Sequence, residues 1–374
     1  MTRLAVLGST GSIGRQTLEV VRAFPDRFTV AGLAAGTDSP ALRRQVEEFH
    51  PSYVAVAGRH ASAAAPRLTM EELVQQPDID IVVLAIPGIA SLAPALAAVR
   101  AGKTLALASK EVLVVAGELV TARAMESGAR LYPVDSEHSA IWQCLQGEDP
   151  ADVRRIILTA SGGPFRAHTI EQLRAVTKDD ALRHPTWAMG PKVTVDSATL
   201  LNKGLEVIEA RWLYNMPYDR IDVVVHPQSI VHSLVEFADG SVKAQMGYPD
   251  MRLPIQYALT YPERWPSGHL RPLNLADLGS LTFEPVDAER FPCFALARQA
   301  GEEGGTYPAV LQAAGEAAVH LFLHDRLSFT GIAEMVRGAL EAHVPDHHPT
   351  LETLLAADSS ARSWVNHRAR AFTA

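Results

Sequence analysis

A chain of 374 residues exceeds the ~250–300 at which a single hydrophobic core stops growing, so about two or three domains are expected. Its 47% hydrophobic and 20% charged residues suit a globular enzyme, and no run approaches the ~20 uninterrupted apolar residues of a membrane span, so the expectation is a soluble protein with no membrane partner. The net charge of -8, with the 34 Lys and Arg scattered along the chain, argues against a nucleic-acid surface.

The first third alternates short apolar runs with helical ones. LAVLG (4–8), FTVAGLA (28–34), YVAVAG (53–58), DIVVLAI (80–86) and KTLALA (103–108) lack a polar face, as strands buried on both sides do. Segments such as RQTLEVVRAF and SLAPALAAVRAG lie between them, which predicts a parallel, doubly wound sheet over residues 1–134. The rhythm changes after residue 135. VRRIILTA (153–160) reads as a strand leading into SGGPF, and SIVHSLVEF and SVKAQMG flank a hairpin turn at Asp239 and Gly240, so residues 135–262 read as a mixed domain. Recurrent prolines mark a connector over residues 263–289. Ala- and Leu-rich runs at helical spacing follow, predicting a small helical bundle over residues 290–374. The predicted class is therefore α/β, with an N-terminal Rossmann-like parallel sheet, a mixed α+β catalytic domain and a C-terminal helical bundle.

Cys144 and Cys293 lie far apart without a pairing motif, which fits a reducing compartment. MTRLAVLG enters a strand pattern at once and leaves no room for a leader peptide, so a cytoplasmic location is expected.

The chemistry begins at GSTGSIG, whose glycines fall at 8, 11 and 14, after the first strand and at the start of a helix. Backbone amides at a helix start can hold a pyrophosphate, and at the first strand of an alternating domain this favours a nicotinamide dinucleotide over a merely tight turn. The end of the second strand, AAGTDSP, leaves the choice of dinucleotide open. It has neither an acid at the last strand position nor an adjacent Arg or Lys; Asp38 lies slightly beyond, and Arg43, Arg44 and Arg59 would need the fold to bring them close.

The segment VDSEHSAIWQ (134–143) sets Asp135 and Glu137 two apart. Were the strand to run from Leu131 through Asp135, their carboxylates would share a face and call for a cation between them. A hard divalent ion prefers oxygen ligands, and two make a poor cage, so a third is expected. VDSATLLNKGLEVIEARWLYN (195–215) offers one: a helix starting near Ser197 would carry Asn202, Lys203 and Glu206 on one face. Ser197, Asn202, Lys203 and the turn Ser161–Gly162–Gly163 together suit a phosphate monoester, which needs amides, hydroxyls and an ammonium. Taken singly, Glu206 reads as a solvated partner of Lys203, Ser197 as a helix cap and the SGG as a turn.

In this order and at these separations, GSTGSIG, ASKE, PVDSEH, LTASGGPF, RHPTWAMGPK, VDSATLLNKGLEVIEARWLY and HPQSIVHS resemble the 1-deoxy-D-xylulose 5-phosphate reductoisomerases of non-mevalonate isoprenoid biosynthesis, over nearly the whole chain. The resemblance implies a metal-dependent rearrangement of a linear sugar phosphate to a branched aldehyde, which NADPH reduces to 2-C-methyl-D-erythritol 4-phosphate. It assigns one divalent metal, Mg²⁺, Mn²⁺ or Co²⁺, to Asp135, Glu137 and Glu206, and the phosphate to Ser161, Ser197, Asn202 and Lys203. Lys110 and Ser136 would contact the reacting end of the substrate. RHPTWAMGPK would be a mobile lid in which His184 and Trp187 meet the substrate and Gly190 approaches the cofactor. His226 would lie near the site, and Lys110, Glu137, His184 and His226 are the candidate catalytic groups. Gly8, Thr10, Gly11, Ser12, Ile13, Gly36, Thr37, Asp38, Ser109, Glu111, Gly190 and Met251 are the candidate cofactor contacts, and a homodimer is expected.

This chain departs from the family pattern at Thr37 and Asp38, where Lys and Asn are frequent, at Ser109 and Ser139, where Asn is usual, and at Gly315, which should weaken its helix by ~1 kcal/mol relative to alanine. A homoserine-dehydrogenase-like oxidoreductase would share the cofactor domain without requiring the DSE triplet and the NKGLE helix. A nucleotide-binding sensor would need no divalent site.

Overall fold

Six short apolar strands make the first sheet: β1 (Thr2–Leu7), β2 (Phe28–Ala35), β3 (Tyr53–Val56), β4 (Ile81–Leu84), β5 (Thr104–Leu107) and β6 (Arg130–Pro133). All pair in parallel, in the order β3-β2-β1-β4-β5-β6. The computed structural model describes residues 1–57 and 68–372, and Arg59 lies outside them. The chain forms two compact units, one of Met1–Val112, Glu118–Trp142 and Asp250–Pro272, the other of Leu113–Gly117, Gln143–Pro249 and Leu273–Ala374.

In the first unit β1, β2, β4 and β5 are largely buried on both faces because helices cover them, which is why they read as continuous apolar runs. Leu4, Val6, Leu33 and Val83 from the strands meet Leu18 and Val21 from the helix Ser12–Ala23. Late in the sequence the chain returns to this unit with the helix Arg252–Thr260, which adds Ile255, Ala258 and Leu259 to the same core. Strand order reverses on either side of β1, and at such a switch point parallel sheets open a crevice for a ligand.

The second unit holds a mixed sheet in the order β10-β9-β7-β8-β11, formed by β7 (Val153–Ala160), β8 (Ile221–Val225), β9 (Val231–Phe237), β10 (Val242–Met246) and β11 (Glu284–Pro285). β7 and β8 are parallel, while β9 runs antiparallel to both β7 and β10. The hairpin between β9 and β10 turns at Asp239 and Gly240 as the sequence predicts: Gly240 takes a φ of +85° and the Asp239 carboxylate accepts the Ser241 amide at 2.8 Å. The helical tail comprises Pro292–Glu303, Tyr307–Leu323, Phe329–Glu341 and Leu351–Phe372. Among the described residues no helix is long and apolar enough to cross a membrane.

Glycine sets two close approaches in this unit. A Cβ on Gly204 would lie 2.3 Å from the Cβ of Ala297, so the helices Leu201–Leu213 and Pro292–Glu303 meet at near-backbone distance. A Cβ on Gly315 would lie 2.6 Å from Cδ2 of the buried Leu201. The propensity that Gly315 gives up makes room for that leucine, a reason its sequence context does not reveal.

Two local expectations are corrected. The sixth strand stops at Pro133 and a helix, Ser136–Cys144, begins directly, so Asp135 and Glu137 are not alternate residues of one strand. Nor does Ser197 start a helix: it lies in the last turn of Pro191–Ala198, and Leu200, at a φ of +57°, makes the corner into Leu201–Leu213.

Candidate active site

The glycine turn of the first unit is shaped by its own backbone. Gly8 has a φ of +83° and a Cβ there would lie 2.3 Å from the Ala85 carbonyl oxygen; one on Gly14 would lie 2.3 Å from the Gly8 carbonyl oxygen. The amides of Gly8 and Ser9 both donate to the carbonyl of Ala34, at 2.8 and 3.0 Å, which fixes the turn beside the end of β2. Gly11 precedes the helix Ser12–Ala23 with no side chain to cap the first-turn amides, an arrangement suited to a bound pyrophosphate. Gln45, unremarked in the sequence, is buried and holds Ser9 twice: Ser9 Oγ donates to its Oε1 at 2.8 Å and its Nε2 donates to the Ser9 carbonyl at 2.9 Å. Ser109 is also buried, its hydroxyl within bonding distance of the carbonyls of Leu84 and Ile86, at 3.1 and 2.6 Å, where it ties the ends of β4 and β5 together. Met251 precedes the helix Arg252–Thr260 and packs against the core.

At the far edge of this sheet, Asp135 follows β6. Its carboxylate pairs with Lys110 Nζ at 2.7 Å, with the two side chains only 19% and 13% exposed, and accepts the Ser136 amide at 3.0 Å. Its carbonyl receives the Ser139 amide, so Asp135 begins the helix that carries Glu137 in its first turn. Ser136 Oγ donates to Glu137 Oε2 at 2.5 Å. The two carboxylates are thus oriented by a strand end and a helix start. His138, next along, is fully buried.

In the second unit, Ser161 follows β7 and opens a turn in which Gly162 and Gly163 take φ of +79° and +65°. A Cβ on Gly163 would lie 2.9 Å from the Ser197 carbonyl oxygen, so the SGG turn packs directly on the backbone of Ser197. On the next helix, Asn202 Nδ2 donates to Glu206 Oε1 at 2.5 Å and Lys203 Nζ is paired with Glu206 Oε2. Lys203 and Glu206 are buried, as is Glu209 one turn further on. The structure thereby sets the turn that Ser161 opens against the backbone of Ser197, groups Asn202 and Lys203 with Glu206, and rejects the reading of Glu206 as a solvated surface residue.

His184 Nδ1 receives the amides of Thr186 and Trp187, at 3.2 and 2.9 Å, so that nitrogen is the acceptor and Nε2 carries the proton. Nε2 lies 2.9 Å from Ser161 Oγ. Burial pushes the His184 pKa below its ordinary value, which favours this neutral tautomer. The Trp187 ring lies 6.1 Å from that of His232, which is buried. Gly190 stands at the start of Pro191–Ala198.

His226 has a different setting from the one expected of a catalytic group. It is fully buried, stacks on Phe283 at 4.7 Å, lies 2.8 Å from the Thr282 carbonyl through Nδ1 and accepts the Ile230 amide at Nε2, at 3.1 Å. Both ring nitrogens serve backbone groups, so the ring holds the turn after β8.

The residues present fit both groups that such a fold employs. A turn too tight for a Cβ at Gly8 or Gly14, leading into a helix start with no side-chain cap, stands at the reversal of strand order, and carboxylate oxygens at Asp135, Glu137 and Glu206 are the donor type a hard divalent ion takes. Fold and site define a nicotinamide-dependent oxidoreductase with a divalent metal. Family models agree: that for 1-deoxy-D-xylulose 5-phosphate reductoisomerase matches residues 4–117, that for its C-terminal domain residues 131–214, and one for the DXP reductoisomerase C-terminal domain residues 246–364. The chain is 54% identical to the 1-deoxy-D-xylulose 5-phosphate reductoisomerase of Pelotomaculum thermopropionicum, covering 97% of each, and 54% identical to that of Thermomicrobium roseum, covering 96% of each. It superposes with a TM-score of 0.93 on a crystal structure of DOX-P reductoisomerase in complex with NADPH, fosmidomycin and magnesium, at 38% identity over 100% of this chain and 99% of that one. For the Zymomonas mobilis enzyme in complex with NADPH the TM-score is 0.91, at 39% identity over 98% and 99%. The chain belongs to the 1-deoxy-D-xylulose 5-phosphate reductoisomerase family. It is an NADP-dependent enzyme of metal-dependent isomerisation and reduction, and its cofactors are NADPH and a divalent metal.

Proposed function

We propose that Asp135, Glu137 and Glu206 hold the metal, that Ser161, Ser197, Asn202 and Lys203 hold the substrate's phosphate, and that the product is 2-C-methyl-D-erythritol 4-phosphate. The observation that carries this reading is the Asn202–Lys203–Glu206 face: an ammonium and a carboxylate buried on one helix, with a half-buried amide beside them, have a binding task, because burying such charges for stability alone is costly. When bound, the metal supplies Lewis-acid polarisation of substrate oxygens and NADPH supplies hydride.

The chain's own residues bind and orient. His184, fixed as the Nε2–H tautomer, donates to Ser161 Oγ and leaves the serine's own proton for a phosphate oxygen. Lys110, aligned by Asp135, and Ser136 face the reacting end of the substrate. Trp187, on the loop that His184 folds, covers the substrate and excludes water. Gly8, Thr10, Gly11, Ser12 and Ile13 take the pyrophosphate, Gly36, Thr37 and Asp38 the adenosine ribose, and Ser109, Glu111, Gly190 and Met251 complete the cofactor contacts.

The enzyme works as a cytoplasmic homodimer without nucleic-acid or membrane partners in this reading. Support comes from the two free, buried thiols, the scattered basic residues and the edge strand β10, where Val242 is half exposed. Light scattering of the purified protein gives the mass that decides the dimer. For the site, Lys203→Met tests the assignment: substrate KM should rise by about 10- to 100-fold through loss of a charged phosphate contact, with the NADPH Kd unchanged. An unaltered KM would remove Lys203 from the phosphate site.

A further inference from the structure

We propose that Gln45 is a positioning residue of the cofactor site: by holding the Ser9 carbonyl inward, it aims the Thr10 amide at the pyrophosphate of the dinucleotide. The inference rests on the cofactor placement proposed above and adds to it a residue that acts through the turn rather than on the cofactor.

From Gly8 to Gly11 the peptide groups of the turn are bonded one by one. The amides of Gly8 and Ser9 donate to the Ala34 carbonyl, and the Gly11 amide donates to the Gly8 carbonyl at 3.0 Å. Arg15 Nη1 donates to the Thr10 carbonyl at 2.7 Å. The Ser9 carbonyl is left for a side chain, and Gln45 Nε2 donates to it at 2.9 Å. Gln45 Oε1 in turn accepts the Ser9 hydroxyl at 2.8 Å, so one carboxamide closes on one residue through both of its ends. Of the amides from Gly8 to Gly11, only that of Thr10 has no acceptor among the described residues.

A trans peptide is planar, so the Ser9 carbonyl and the Thr10 N–H point in opposite directions. Fixing the first toward the core turns the second outward, beside the uncapped start of the helix Ser12–Ala23. Ser9 is 0% and Gln45 7% exposed, so loss of either bond leaves a polar group buried without a partner, and the peptide can regain one only by rotating. Gln45 shares the inward face of the helix Pro40–Phe49 with Leu42, three residues before it. An apolar side chain would fill that face as well. Only a donor and an acceptor side by side answer both the carbonyl and the hydroxyl of Ser9.

Titration of the purified full-length enzyme with NADPH, followed by cofactor fluorescence, tests this independently of turnover. Gln45→Met keeps the volume and removes both bonds, so the NADPH Kd should rise by about tenfold, the equivalent of one misaimed hydrogen bond to a charged group. Mn²⁺ affinity should not change. Gln45→Glu gives a readout that a merely structural role would not move. Its ionised carboxylate has no donor for the Ser9 carbonyl, whereas the protonated form restores both bonds. Burial raises the pKa of such a group above its ordinary value of about 4.3. The ratio of variant to wild-type Kd should therefore be about tenfold or more near pH ~8 and fall toward one as the pH is lowered to ~5.5.

A folded Gln45→Met enzyme with wild-type NADPH affinity, or a Gln45→Glu ratio that stays constant with pH, would overturn the proposal, whatever either variant does to the melting temperature. If Gln45→Met does not fold, Gln45→Glu decides alone, because its two states are compared within one protein. Ser12→Asp tests the placement beneath. An acid in the first turn suits the helix but meets the pyrophosphate, so NADPH should bind at least about tenfold more weakly. Wild-type affinity in Ser12→Asp would refute the placement, whereas a loss there beside unaltered Gln45 variants would overturn the role of Gln45 alone.

Discussion

Lys203 and Glu206 lie one turn apart on the same helix and pair with each other, their side chains 5% and 1% exposed. Asn202 takes the other oxygen of the same carboxylate. The two groups assigned to the phosphate are thus engaged by a residue assigned to the metal. A divalent ion that draws on Glu206 loosens the hold on Lys203 and Asn202, so metal and phosphate should bind cooperatively. Coupling of about 5- to 100-fold is the ordinary range for linked sites, and it must appear equally from either side. Calorimetric titration with inorganic phosphate, with and without Mn²⁺, and Mn²⁺ titration by electron paramagnetic resonance, with and without phosphate, should give the same factor. Affinities that ignore each other would contradict the arrangement.

Loss of a single carboxylate should separate the two cofactors. Glu137→Gln removes a metal donor but leaves the glycine turn untouched, so metal-supported turnover should fall by about 10³-fold, several kcal/mol of Lewis-acid stabilisation. The NADPH Kd should stay at its wild-type value. If turnover persists in that variant, Glu137 is not a ligand.

The loop that carries Trp187 should open in acid. Burial holds the His184 pKa below its ordinary value, and the neutral ring's Nδ1 accepts the amides of Thr186 and Trp187. Because the folded value lies below the unfolded one of about 6.5, this contribution is whole above that pH and is lost as pH falls through the folded value. Substrate kcat/KM should therefore drop on the acid side, through KM. His184→Asn keeps an acceptor where Nδ1 stands and should flatten that limb while lowering activity through the lost Ser161 contact. Identical acid limbs in the two enzymes would show that another group titrates.

Gly204 should tolerate no added methyl group. Its neighbour is the Cβ of Ala297, which cannot rotate away, so Gly204→Ala forces two helices apart. Overpacking of this kind costs about 1–3 kcal/mol, more than the ~1 kcal/mol that alanine returns in helix propensity. Denaturant unfolding should show a net loss, and Ala297→Gly in the same chain should recover part of it.

Much of this was legible in advance. Strands buried on both faces show as unbroken apolar runs, so five of the six strands of the first sheet could be read directly, and the hairpin at Asp239 and Gly240 announced itself by turn chemistry. A strand running from Leu131 through Asp135 has its end misplaced, for the observed strand stops at Pro133 and nothing in VDSEH says where a strand yields to a helix when the helix-starting residue is the acid itself. The return of Arg252–Thr260 to the first unit was invisible, because apolar spacing tells which face is buried and not against what. The family resemblance alone places His226 among the catalytic groups, whereas its burial and two backbone partners exist only in the fold. Gln45 and Glu209 lacked any signal beyond being polar residues in helices that turn out to be buried.

The most direct measurement is the decrease in NADPH absorbance when purified enzyme meets 1-deoxy-D-xylulose 5-phosphate after chelation, before and after Mn²⁺ is restored. Oxidation that requires both the sugar phosphate and the metal is the predicted result. A folded enzyme that binds NADPH yet oxidises none of it with Mg²⁺, Mn²⁺ or Co²⁺ present would contradict the account.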